Sequence, residues 1–275
     1  MSSNPADSTI HLPSAPNTAA DERWRQEEWK RLNANPVIRA LNAGSPLEEI
    51  FTPTMLASAR GASGLLACCD PRIPLEEGGK IALAGSLILA TQEEIDAFVH
   101  AHGDKLREVS SHDGCSAAVR RFEELEREGA LPPGVKDPRD LAIAFARELA
   151  ARVQAPYRHF DWDELTARLN FARAIWVDAT GRFQPHRLPG MPPHFLASAA
   201  AFGFPLDYVA NEVAVLASIA MGPPGFGARF SAEQPLHVLC AAGDDEALQG
   251  LLAALRAALG AEAGRTCIHG LVLPE

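Results

Sequence analysis

Long apolar runs are missing from this chain. None of its 275 residues falls in a stretch of ~20 consecutive apolar residues, which excludes a helix that spans a membrane. Blocks of Lys and Arg are missing too. The formal net charge is -10, and an acidic chain of this kind is expected to repel nucleic acid and anionic membranes. The first residues, MSSNPADSTIHLPSAPNTAADER, lack the basic and apolar regions of a secretory signal, so the expected address is the cytoplasm. Cysteine is scarce and odd in number, at five, and no C-x-x-C pair occurs. A disulfide framework and a dithiol redox site are both disfavoured, so metal binding or catalysis is the better reading of any cysteine cluster.

What is present is enough apolar sequence, 47% of the chain, to bury a substantial core. The Pro/Ser-rich residues 1–20 read as a disordered tail and 21–275 as a single α/β domain. Within it, 21–50 form an N-terminal helical arm, 51–121 the region with the chemistry, and 122–275 a C-terminal extension. In the arm, Trp24, Trp29 and Leu32 share one loose helical face, and Pro36 with Asn35 as its cap opens a second short helix.

From Gly64 the pattern alternates. GLLACC (64–69) reads as a buried strand and KIALAGSLIL (80–89) as a second. TQEEIDAFVHAHG (91–103) carries helix signals: Thr91 as N-cap, Glu94 at the capping-box position, Gly103 as a stop. KLREVSS (105–111) reads as a strand and SAAVRRFEELEREG (116–129) as a helix. Further on, helices are expected over 139–152 and 161–171, in FLASAAAFGF, in LDYVANEVAVLASIA and over 244–260. Strands are expected near 173–183, 235–242 and 266–273. This order gives a mainly parallel central sheet flanked by helices, extended by the C-terminal strands. No internal repeat is evident in the sequence.

Two short motifs stand at strand ends, where ligands gather in open α/β sheets. One is Cys68-x-Asp70-x-Arg72; the other is His112-x-x-Cys115. Two thiolates and an imidazole suit zinc, and three protein ligands leave a fourth position open, the arrangement of a catalytic site. Cys115 precedes a helix whose positive end favours an ionised sulfur. Cys69 projects to the other side of its strand and reads as a small core residue, and Cys240 and Cys267 read as buried thiols.

With these motifs in place, residues 51–121 resemble the β-class carbonic anhydrases. The likeness extends to IALAGS (81–86) and to the run TQEEIDAFVHAHGDKLREVSSHDGCSAAV. Ser116 stands where that family commonly has Gly, and the interval from Cys68 to His112 is shorter than usual there. The resemblance implies zinc held by Cys68, His112 and Cys115, and reversible hydration of CO2 to bicarbonate with a zinc-bound hydroxide as nucleophile. It implies that Asp70 orients that hydroxide, that Arg72 holds Asp70, and that the Gly85 N–H polarises a substrate oxygen. It also implies a homodimer or higher homo-oligomer. Two alternatives use the same residues: hydrolysis of CS2 or COS, and a non-catalytic zinc protein in which Asp70 closes the site. His100, His102, His186 and His194 are chemically possible proton carriers, whereas His11, His159, His237 and His269 receive no role.

Overall fold

The computed structural model describes residues 19–75, 79–167 and 169–273, so nearly all of the expected disordered tail lies outside the described residues. The arm comprises α1 (Ala19–Asn33), α2 (Pro36–Asn42) and α3 (Leu47–Ile50), followed by α4 (Pro53–Ser58). Asn35 caps α2 as expected, its side chain accepting the Val37 and Ile38 N–H groups, and Pro36 opens the helix. The tryptophan face of α1 packs on the chain's own second half. Trp29 lies edge-on to Phe226 and Phe230, with ring centroids 5.0 Å from each, and Trp24 meets Phe171 at 5.8 Å.

The next elements are β1 (Leu65–Ala67), β2 (Ile81–Ala82), α5 (Gln92–His102), β3 (Glu108–His112), α6 (Ser116–Glu128), α7 (Pro138–Val153) and β4 (Tyr157–Phe160). The Thr91–Glu94 capping box is formed in both directions, and Gly129, in the left-handed region at φ 66°, stops α6. Then come β5 (Ala174–Asp178), β6 (His194–Ala197), α8 (Leu206–Met221), β7 (Leu236–Ala242), α9 (Asp245–Ala258) and β8 (Thr266–Val272). No described helix is long and apolar enough to cross a membrane.

The expected α/β class is present, but the strands form two sheets instead of one extended sheet. Each is four-stranded and parallel, ordered β2-β1-β3-β4 and β6-β5-β7-β8. Every residue of β5 and β7 is buried, as befits strands covered on both faces. Among the described residues, two expected helices are absent. Residues 162–166 form turns and bends after β4, with the Asp161 side chain accepting the N–H groups of Asp163 and Glu164. In FLASAAAFGF the first residues pair in parallel with β5, so tertiary pairing overrides the helix propensity of the alanines.

The two sheets have the same topology, a repeat not evident from the residues. In each half the second strand ends in a 3-10 turn, at Ala84–Leu87 and at Ala199–Phe202. Registers also correspond. Ala67 pairs with Ala82 as Val177 pairs with Ala197, and Leu66 pairs with Val109 as Trp176 pairs with Leu239. The halves clasp reciprocally. The segment before β5 donates the Thr166 N–H to the Arg72 carbonyl at 2.9 Å, and the segment before β1 donates the Gly61 N–H to the Arg182 carbonyl at 2.7 Å. Arg72 and Arg182 occupy equivalent places after the first strand of each half.

Candidate metal centre

Cys68 follows β1, His112 ends β3, and Cys115 caps the start of α6. Because β1 and β3 are paired neighbours, the carboxyl ends of the two strands bring both motifs together. All three residues are buried, and their ligand atoms lie within 4.8 Å of one another. The Cys68 and Cys115 Sγ atoms are 3.9 Å apart. Tetrahedral zinc–thiolate bonds of ~2.3 Å place two sulfurs ~3.8 Å apart, so the spacing fits such an ion. The His112 Nδ1–H donates to the Asp113 carbonyl at 2.8 Å, which turns Nε2 into the cluster. That buried Nε2 has no hydrogen-bond partner, the state of an imidazole poised to ligate. The three residues are therefore geometrically able to bind a metal.

Electrostatics separate the two sulfurs. The Cys115 thiol, hydrogen-bonded to Cys68, holds Cys68 well below the ordinary thiol range; burial opposes this and His112 assists. The same contact, together with burial, pushes Cys115 up. For His112, burial works against protonation, but the negative charge of Cys68 outweighs it and raises the imidazole.

Asp70 and Arg72 are also buried and paired. The Arg72 NH2 group reaches Asp70 Oδ2 at 2.7 Å, and the Arg72 backbone N–H and Nε–H both donate to Oδ1, at 2.8 and 3.0 Å. Arg72 also donates to the Gly114 carbonyl at 3.1 Å, tying the first motif to the second. Burial alone would raise Asp70; Arg72, then His112, outweigh it and hold the carboxyl well below the usual range. The Gly85 N–H points at the Cys68 sulfur, 3.2 Å away. The donor expected to face a substrate oxygen thus donates to the Cys68 sulfur in this structure. Gly85 (φ 55°), Ser86 (φ 58°) and Leu87 (φ 83°) form a left-handed run, a local strain of order 1–2 kcal/mol per non-glycine residue. Ser86 is anchored there through its hydroxyl to the Ser110 carbonyl at 2.6 Å.

A cavity of about 200 Å³ opens beside His112 and Cys115, walled by Val119, Pro138, Arg139 and Trp162. The Trp162 ring lies against Gly114. A Cβ at that position would sit 2.4 Å from the ring, so the close approach requires glycine between His112 and Cys115.

Several residues around the centre escaped the sequence reading. Lys80 is almost fully buried and donates from Nζ to the carbonyls of Cys68 and Asp70, at 2.7 Å each. Glu212, from α8 of the other half, accepts the Ala84 N–H at 2.7 Å and lies 3.7 Å from Cys69. Burial pushes Glu212 up to about 8, against the Ala84 hydrogen bond and with help from the charge of Cys68. Asp113 receives Arg139 (2.6 Å), His159 (3.0 Å) and the Trp162 N–H (3.1 Å), which anchors the residue next to His112. No local pattern marks these side chains, because their partners are distant in the chain. Cys69, by contrast, is buried away from the cluster, as alternation along the strand predicts.

Of the possible proton carriers, His186 and His194 lie in the second half, where burial lowers both and the charge of Lys80 adds to it; His194 falls to about 4. His102 packs on Phe98 and Phe202, with ring centroids 5.4 and 5.0 Å away. His100 is exposed.

The strand registers also give the counterpart of the centre in the second half. Asp178, Thr180 and Arg182 stand at the places of Cys68, Asp70 and Arg72, and Ala242 and Asp245 at those of His112 and Cys115. Two carboxylates and a methyl replace the two thiols and the imidazole. A cavity of about 360 Å³ persists there, lined by Thr180, Arg182, Gly243 and Asp244 among others. The Asp178 carboxylate is occupied by its own loop, accepting from Thr180 (2.8 and 2.6 Å) and from the Phe183 N–H (3.3 Å).

Fold and site together define an α/β protein of two topologically matching halves, one of which holds a Cys2His group able to bind a metal. No family model matches the chain. No curated protein and no solved structure is significantly similar to it.

Proposed function

We propose that Cys68, His112 and Cys115 hold zinc and that the protein is a zinc lyase of the β-class carbonic anhydrase type, hydrating CO2 to bicarbonate. The observation that carries the reading is the meeting of these three ligand atoms, with an unpartnered His112 Nε2, beside a buried Asp70–Arg72 pair. Two thiolates and an imidazole fit a borderline divalent ion. A zinc ion at such a site supplies Lewis acidity, lowering the pKa of bound water toward neutrality.

The chain's own residues do the rest. Asp70, kept ionised and immobile by Arg72, accepts a hydrogen bond and sets the direction of a lone pair. Its engagement with Arg72 favours a site that Asp70 leaves open over one that it closes. The Gly85 N–H tempers the negative charge of Cys68, and Lys80 fixes the loop through two carbonyls. The small cavity walled by Val119, Pro138 and Trp162 suits a small, weakly polar substrate.

Metal analysis and a stopped-flow CO2 hydration assay test the proposal. Zinc at the cluster with rapid hydration is expected, and Asp70→Asn is expected to keep the zinc and abolish turnover. A zinc-loaded protein without hydration activity at any pH, or an Asp70→Asn variant as active as the parent, refutes it.

A further inference from the structure

A second cluster lies in the other sheet, on the β7–β8 pair. His237 pairs directly with Cys267, and His269 lies two residues further along β8, so the three side chains project from one face. The His237 Nδ1 and His269 Nε2 atoms are 3.0 Å apart, and the Cys267 sulfur lies within 4.8 Å of both. His237 is fully buried, whereas Cys267 and His269 are half-buried along the edge strand, which gives an ion a route in.

The tautomer of His237 is set from outside the group. Its Nε2–H donates to the Asn42 side-chain oxygen at 2.9 Å, at the end of α2. The Nδ1 lone pair therefore faces His269 and Cys267. An outer acceptor that fixes one ring nitrogen and frees the other is the usual companion of a ligating histidine. Burial also keeps both imidazoles neutral, the ligating form, with His237 pushed down to about 3.

We propose that His237 Nδ1, His269 Nε2 and the Cys267 thiolate form a second site for a borderline divalent cation such as zinc, separate from the Cys68 cluster. Two imidazoles and one thiolate match the donor preference of that ion, and three ligands leave one position toward solvent. Bound there, the ion would tie the edge strand β8 to the buried strand β7, and through Asn42 to the N-terminal arm.

Zinc binding to the metal-stripped full-length chain, measured by equilibrium dialysis, tests this. The parent is expected to bind two equivalents. His269→Gln and Cys267→Ser are each expected to bind one, and His112→Gln is also expected to bind one by losing the other ion. Cobalt substitution adds a second readout: Cys267→Ser should lose part of the thiolate-to-cobalt charge-transfer absorption. Unchanged zinc in a folded His269→Gln or Cys267→Ser variant overturns the proposal and leaves a plain hydrogen-bonded histidine pair. Cys267→Ser, at a half-buried site and nearly isosteric, keeps the test decisive if His269→Gln misfolds. If His112→Gln alone leaves the stoichiometry unchanged, the proposed lyase centre fails and this second site stands.

Discussion

Glu212 offers the sharpest test of how the two halves depend on each other. It is a carboxyl with almost no solvent exposure, and its Oε2 has no hydrogen-bond partner. Burial moves it from the ordinary 4.5 to about 8. The folded protein therefore holds a proton there that the unfolded chain releases above pH ~4.5. Its stability is fully present below that pH, falls as pH rises toward 8, and levels beyond. At ~1.4 kcal/mol per pH unit the loss across this window reaches about 5 kcal/mol. Glu212→Gln keeps the shape and the acceptor for the Ala84 N–H but cannot ionise. Urea unfolding of both proteins at pH 5, 6, 7 and 8 should show the variant gaining on the parent by ~4 kcal/mol between the extremes. The buried histidines titrate in the same range, but they are common to both proteins and cancel in the difference. Glu212→Ala, which orphans the Ala84 N–H, should follow the pH dependence of Glu212→Gln but lie below it by ~1–3 kcal/mol at every pH. Parallel curves for the parent and Glu212→Gln would refute the reasoning.

Two more predictions concern the centre and its counterpart. Lys80→Met preserves length but removes two charge-assisted hydrogen bonds, to Cys68 and Asp70, each worth ~1.5–3 kcal/mol. Zinc affinity, read by competition with a chromophoric chelator, should fall by on the order of 10–100-fold, and an unchanged affinity would remove Lys80 from the support of the site. Placing the ligands at the matching positions of the second half, as Asp178→Cys, Ala242→His and Asp245→Cys together, should add one zinc per chain. A folded triple variant with the parent's stoichiometry would show that matching strand registers do not carry matching side-chain geometry.

Much of the centre can be read locally. A strand that alternates sends Cys68 and Cys69 to opposite sides, and a capping box at Thr91 and Glu94 starts a helix where it is needed. Other features are not local. The strand Tyr157–Phe160 is short and mixed in polarity, and it exists because β3 offers it a ladder; the turns after it then occupy sequence that resembles a helix. The pairing of His237 with Cys267 and His269 needs β7 and β8 to be neighbours, and nothing in the sequence reading gave either histidine a role. The matching halves share an arginine (Arg72 and Arg182) and a strand alanine (Ala82 and Ala197) at equivalent steps but differ at most others, because parallel pairing tolerates wide changes of side chain.

By itself, then, the sequence determined the periodicities, the caps and the residue types at strand ends, since these depend on interactions within a few residues. The tertiary structure decided that there are two sheets, that a glutamate of the second half reaches the turn beside Cys68, and that a lysine is sealed beneath the loop of Cys68 and Asp70. Those outcomes follow from which surfaces exclude water together. Such burial joins residues from 10 positions apart, as Lys80 and Asp70, to 128 apart, as Glu212 and Ala84, and no local pattern encodes it.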